Sequence, residues 1–308
     1  MSRALLRVAA LLACASIALA ACTARPAGAD GNLVDDWAPL AEPAFLVPSA
    51  GTCLDASAHF AFEPRWYRTT PIECDRGHSL ETVLTGTVTG TAAAGSKPPE
   101  WGSEANRAAF AECGRAVTAY VGGDWHNGLL GIHVLMPTDA QWDGGLRSYT
   151  CAAFVISDVT RASTIIRSGT LRDGLSGAAP LALRCLDQVG AQGAEGFIDG
   201  ISAITAIDCA QPHDTEYAGL ATMPDGQFPS DQVMEGTLLN KCWGRAASLL
   251  GLTENQLSAR RDIRVTWDGI SQAQWTAGDR TARCFAVVSY RTKVKASLKG
   301  LGKGKLPV

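Results

Sequence analysis

Charge is scarce in this chain, and the common catalytic and metal-binding signatures are missing. Only 19% of its 308 residues are Asp, Glu, Lys or Arg. The net charge is −3, and the first 22 residues hold Arg3 and Arg7 with no acid, so their removal takes it to −5. An acidic body lacks the electrostatic footprint of a nucleic-acid binder, and nucleic acid is excluded as the main partner. There is no Cys-x-x-Cys, which removes a thioredoxin-type redox pair and a zinc ribbon. Gly-x-Ser-x-Gly, His-Glu-x-x-His and a Gly-x-Gly-x-x-Gly opening a helix are also lacking. With five His in the whole chain, a triad would have to be assembled from distant positions. Gly300 to Lys305 is not a P-loop, because no Gly-Lys-Ser/Thr ends it. Past the leader, no run is long and apolar enough to span a bilayer. These absences point away from catalysis, metal and cofactor.

What is present begins at the N-terminus. Arg3 and Arg7 form a positive region, an apolar stretch runs from Ala9 to Ala20, and Leu19-Ala20-Ala21-Cys22 follows. This is the order of a bacterial lipobox, with small residues suited to a signal peptidase and a thiol to carry the lipid. Two or more acyl chains, at about 0.8 kcal/mol per buried methylene, anchor stably. The expectation is a signal peptide over 1–21, acylated Cys22, a tether over 22–42, and a folded part on the extracytoplasmic face of the membrane. Hydrophobic residues make up 46% of the chain, enough for a packed core. Beyond Cys14 and Cys22 remain Cys53, Cys74, Cys113, Cys151, Cys185, Cys209, Cys242 and Cys284. An even number in an exported chain implies disulfides.

The eight fall into two sets of four with matching surroundings. Cys53-Leu54-Asp55 matches Cys185-Leu186-Asp187, and Cys74-x-x-x-His78-x-x-Glu81 matches Cys209-x-x-x-His213-x-x-Glu216. Cys113 and Cys242 each stand nine residues before a Gly. Gln141-Trp142-x-x-Gly145-x-Arg147-x-x-x-Cys151 matches Gln274-Trp275-x-x-Gly278-x-Arg280-x-x-x-Cys284. So many shared offsets read as a tandem duplication, with copies over 43–159 and 168–290 and a basic tail over 291–308. Ser168 to Pro180, rich in Gly, Ser and Ala, reads as the linker.

Local patterns repeat as well. Glu104 to Val121 reads as a helix with Ser103 as N-cap and Gly122 as stop, and Ser230 to Leu250 reads the same way before Gly251. Thr82–Thr89, Ile132–Leu135, Ile263–Thr266, Tyr149–Ile156 and Ala282–Ser289 read as strands. Each copy is then an α+β unit, a small antiparallel sheet with one main helix. Four cysteines per copy allow three pairings. The preferred one joins first to second and third to fourth, the latter stapling the helix to the last strand.

Cys209-Ala210-Gln211-Pro212-His213-Asp214-Thr215-Glu216 resembles the septum-formation domain of actinobacterial envelope proteins. So do Gly51-Thr52-Cys53-Leu54, the stretch from Cys242 to Gly251, and the closing Trp275 to Cys284. The resemblance covers both copies and implies a link to division-septum assembly, with no chemical activity attached. Copy one departs from it with Arg76-Gly77-His78-Ser79, so a ligand of that stretch would be met differently there.

The candidate partner-binding residues are those that recur around these motifs: His78, Glu81, His213, Asp214, Glu216, Trp142, Arg147, Trp275 and Arg280. On a helix, a His/Glu pair three apart shares a face and could act as an acid–base pair or half a metal site. On a strand the two point to opposite faces, and the β-branched run after Glu81 favours the strand. The structural alternative has His213 bonding a backbone carbonyl and Asp214 closing a turn. Trp142/Arg147 and Trp275/Arg280 are candidate cation–π pairs. Trp125-His126-Asn127-Gly128 reads as an exposed aromatic loop, and Asp55 and Asp187 as turn caps. The tail, with six basic residues from Arg291 to Lys305 and no acid, reads as a solvated end or a contact for anionic envelope polymer or lipid headgroups. The functional expectation is a non-enzymatic envelope lipoprotein, held to the membrane through Cys22, that binds an envelope protein or cell-wall polymer. The alternative is an envelope hydrolase or metal-binding module built on the two His/Glu pairs.

Overall fold

The computed structural model describes residues 45–56, 69–160 and 164–308. The leader, Cys22 and the tether lie outside the described residues. Leu46–Val308 form one compact unit.

Each half builds a five-stranded antiparallel sheet. The first comprises β1 (Cys53–Ala56), β2 (Thr69–Ile72), β3 (Leu80–Thr87), β4 (Leu130–Leu135) and β5 (Ser148–Val155) in the order β2-β1-β3-β5-β4. The second comprises β6 (Cys185–Gln192), β7 (Ile198–Ile207), β8 (Thr215–Thr222), β9 (Ile263–Trp267) and β10 (Thr281–Val288) in the order β7-β6-β8-β10-β9. The two orders are the same once the strands are matched in sequence, so the α+β class and the repeated sheet-plus-helix plan hold.

The main helices are α2 (Glu104–Val121) and α4 (Asp231–Leu250). Ser103 Oγ accepts from the Asn106 N–H and Ser230 Oγ from the Val233 N–H, satisfying amide groups left free in a first turn. Gly122 and Gly251 end the helices at φ of 80° and 70°, a conformation that favours glycine. Short helices α1 (Gly90–Ala93), α3 (Asp139–Asp143), α5 (Glu254–Ser258) and α6 (Gln272–Ala277) fill the connections.

The layers follow from strand alternation. In β5, Tyr149, Cys151, Ala153 and Val155 join Ala109, Cys113, Val117 and Val121 of α2 in one core. Ala152 and Phe154, on the opposite face, join a second core with Leu54, Leu80 and Leu135, and it continues into Leu186, Ile204, Phe285 and Val287 of the other sheet. On the far side of that sheet, Ala286 and Val288 pack with Ala246 and Leu250 of α4, and Ala282 and Cys284 with Leu238 and Cys242. The order of layers is helix, sheet, sheet, helix. The two halves therefore share their middle core. Burial on both faces is why β5 and β10 read as nearly continuous apolar runs.

The disulfides are Cys53–Cys74, Cys113–Cys151, Cys185–Cys209 and Cys242–Cys284, the preferred pairing in both copies. The second and fourth staple α2 to β5 and α4 to β10.

The basic tail does not behave as a loose solvated end. Val294 and Leu298 are fully buried, and the Val294 and His213 backbones exchange two hydrogen bonds of 2.9 Å. The linker does the same for the first copy: Arg167 and His78 exchange bonds of 3.0 and 2.8 Å. Each half thus ends in a strap that runs back across its own sheet.

Candidate functional site

The repeated His/Glu motif lies where strap meets sheet. His78 and His213 precede β3 and β8 and point inward, because their Nδ1 atoms lie 2.9 and 2.8 Å from the carbonyls of Arg76 and Gln211. Each Nδ1 therefore carries the proton and donates. Glu81 and Glu216 are the second residues of their strands, 1% and 4% exposed. The opposite-face expectation fails here. The His stands before the regular strand, so alternation does not govern it, and His213 Nε2 comes within 3.2 Å of Glu216 Oε1.

The two carboxylates are met in parallel ways. Glu81 accepts from the Tyr120 hydroxyl, from Thr170 Oγ1 at 2.6 Å and from the Leu171 N–H at 2.6 Å. Glu216 accepts from Ser297 Oγ at 2.9 Å and the Leu298 N–H at 2.6 Å, and contacts the His213 ring. A hydroxyl and the following amide, Thr170-Leu171 or Ser297-Leu298, come from the strap in both. The third contact differs: Tyr120 of α2 in the first half, His213 in the second. Burial, reinforced by the bond to Glu81, raises the Tyr120 hydroxyl above its usual range. Charge-assisted bonds of this kind hold a strap firmly.

Cys53, His78 and Glu81, and likewise Cys185, His213 and Glu216, bring donor atoms within 4.8 Å of one another. Both sulfurs are in disulfides, so neither is a thiolate ligand, and each set offers a metal only a His and a carboxylate already bonded to its strap.

Asp214 has no counterpart in the first half, where Ser79 stands. Its Oδ1 accepts from the Gln188 N–H at 2.9 Å, and its N–H donates to Asp187 Oδ1 at 3.1 Å. Lys293 of the strap lies 2.6 Å from Asp187 Oδ2 and 3.9 Å from Asp214 Oδ2. Burial raises the Asp214 carboxyl above its ordinary value. Asp187 thus caps the turn at Asp214, while Asp55 is exposed.

Both Trp/Arg pairs stack, with Arg147 and Arg280 each 3.9 Å from the ring centre of Trp142 and Trp275. The indoles donate to the carbonyls of Gly95 and Gly226, and the guanidinium groups to the carbonyls of Trp142 and Trp275. They lock α3 and α6 to the loops that follow β3 and β8. All nine candidate partner-binding residues are buried or half-buried.

The inter-sheet junction holds residues that the repeat pattern does not single out. Arg283 of β10 is 7% exposed. It meets Asp268 at 3.0 Å and donates to the carbonyls of His126 and Leu130 in the first half at 2.9 and 3.1 Å. Burial raises Asp268, with Arg283 pulling the other way. His126 is not on an exposed loop: it stacks on Trp125 and sits between Asp124 at 2.7 Å and Asp279 at 3.3 Å. Burial works against its charge, but the two carboxylates prevail and raise its pKa. A charged residue in the middle of the apolar run of β10 was the available signal for Arg283. The Thr170-Leu171 and Ser297-Leu298 pairs were the signal for the straps.

A family model described as septum formation matches residues 50–284, from the approach to β1 into β10. The chain belongs to the septum-formation family. Comparison with curated proteins and with solved structures gave no match. The family match runs through both sheets and stops before the second strap.

Proposed function

We propose that this septum-formation family member is a non-enzymatic lipoprotein, held through acylated Cys22 on the outer face of the cell membrane, that presents a rigid two-sheet body to an envelope protein or cell-wall polymer during septum assembly. Family membership carries the septum part of this reading. Four disulfides suit an oxidising compartment. Among the described residues, no helix is long and apolar enough to cross a membrane. The recurring polar residues are engaged in holding straps and turns, which leaves recognition to the surface they shape.

The test is a fluorescent fusion followed through division, beside a Cys22→Ser variant and a deletion strain. Enrichment at the septum, release of the variant from membranes and a septation defect are the expected results. Uniform distribution with normal septation in the deletion strain refutes the reading. The alternative, a metal-dependent module on His78/Glu81 and His213/Glu216, predicts stoichiometric metal in the purified protein that is lost in His213→Ala.

A further inference from the structure

We propose that the loop from Lys295 to Pro307 is a second membrane contact, a cationic surface that docks on anionic lipid headgroups. The inference rests on the reading that Cys22 is acylated.

Five of the seven lysines in the chain lie between 293 and 305, and residues 291–308 contain no acid. A loose tail would average those charges over solvent. This one is fixed: Leu298 is buried, its N–H donates to Glu216, and the amides of Gly300 and Gly302 donate to Leu249 and Leu250 at the end of α4. Arg260 donates to the carbonyls of Gly302 and Gly304. The Lys295 N–H donates to Pro307 at 2.8 Å and closes the loop on itself.

The closure gathers Lys295, Lys299, Lys303 and Lys305, all exposed, onto one short loop. Exposed Arg261 adjoins its anchor Arg260. Carboxylates touching this region are already engaged: Asp262 by Arg260, Asp187 by Lys293 and Glu216 by the strap. The result is a patch of one sign on a chain whose net charge is negative, and an anionic surface complements it.

Lipid is favoured over polymer because the anchor keeps it close. The 23 residues between Cys22 and Leu46 span at most about 80 Å. The bilayer is therefore always present at high effective concentration. The loop lies beyond the family match, which ends at residue 284.

The test uses the full acylated chain in vesicles of phosphatidylcholine, alone or with phosphatidylglycerol. Lysine reactivity toward an amine-acylating reagent is read by mass spectrometry, with exposed Lys97 and Lys241 as internal references. Lys295, Lys299, Lys303 and Lys305 should react severalfold more slowly only where phosphatidylglycerol is present. They should recover near 1 M salt, where the Debye length falls to about 3 Å. A variant with all four changed to Gln should lose any salt-sensitive preference for phosphatidylglycerol. Equal reactivity in the two kinds of vesicle overturns the proposal. Protection by soluble poly(glycerol phosphate) without protection by phosphatidylglycerol also overturns it, in favour of a polymer. A chain that fails to cosediment with phosphatidylcholine alone defeats the anchor reading instead. Its binding to phosphatidylglycerol vesicles then supports the loop, and lack of binding overturns it.

Discussion

Replacing Arg283 with Leu tests whether the two sheets are one cooperative body. The guanidinium meets Asp268 Oδ2 and also reaches across to the carbonyls of His126 and Leu130, while the Arg283 N–H, which a substitution would keep, donates to Asp268 Oδ1. Leucine fills much of the space but leaves a desolvated carboxylate without its counter-charge. Breaking a buried pair from one side costs about 3–5 kcal/mol, and the two orphaned carbonyls push toward the upper end. With a urea slope near 3 kcal/mol per molar, the midpoint should fall by about 1–1.7 M. Tryptophan fluorescence can follow this, since Trp125 lies in the first half and Trp275 in the second. The double variant Arg283→Leu, Asp268→Leu should regain part of the loss, because the stranded charge is gone. It should not regain all of it, because the carbonyls stay unpaired. A loss below about 1 kcal/mol in the single variant, with unchanged slope, would refute the reasoning: the halves would not depend on that pin.

Three further outcomes follow from the geometry. Glu216→Ala leaves the Leu298 amide and the His213 ring without their acceptor; it should cost about 2–3 kcal/mol, and limited proteolysis should cut within 291–308 much faster than in the parent. Removing Cys113–Cys151 or Cys242–Cys284 as paired Ala variants, with separations of 38 and 42 residues, should each cost about 4 kcal/mol by chain entropy, and a loss under about 1 kcal/mol in urea titration would contradict this. Two histidines should give pH dependence of opposite sign. Burial lowers His133 to about 4, so its contribution declines as pH falls from about 6.5 toward 4, by about 3 kcal/mol, and His133→Gln should flatten that acid limb. His126 is raised, so the stability from its carboxylate contacts is fully present below about 6.5 and is lost as pH rises through its folded value. His126→Gln should remove that loss, as thermal melts across pH will show.

Much of the architecture was legible because local signals agreed with it. Ser103 to Gly122 and Ser230 to Gly251 carried cap, period and stop together, and the helices fill those spans. The last strand of each copy was legible from its nearly continuous apolar run. The β6–β7 hairpin was not, since Gly190, Gly193 and Gly200 dilute its alternation and bulges interrupt its register. The short helices α3 and α6 were also passed over, although Thr138/Gln141 and Ser271/Gln274 form capping boxes. At the site, repetition picked out the buried residues but could not say what they faced. Glu81 and Glu216 find their strap donors 89 or more and 81 or more residues away along the chain. No window of local pattern reaches that far, and the composition of the straps, Gly-Ser-rich in one case and Lys-rich in the other, resembles that of unstructured connections.

The shared middle core has a consequence for how such a chain can be divided. A fragment holding only the second half would turn Leu186, Ile204, Phe285 and Val287 toward water. A first-half fragment would do the same with Leu54, Leu80 and Phe154. Neither has a way to hide that face except against its missing neighbour or another copy of itself. The molecule is in effect a dimer written as one polypeptide. Its covalent link makes the stoichiometry of the two halves independent of concentration, so both faces stay closed however dilute the chain.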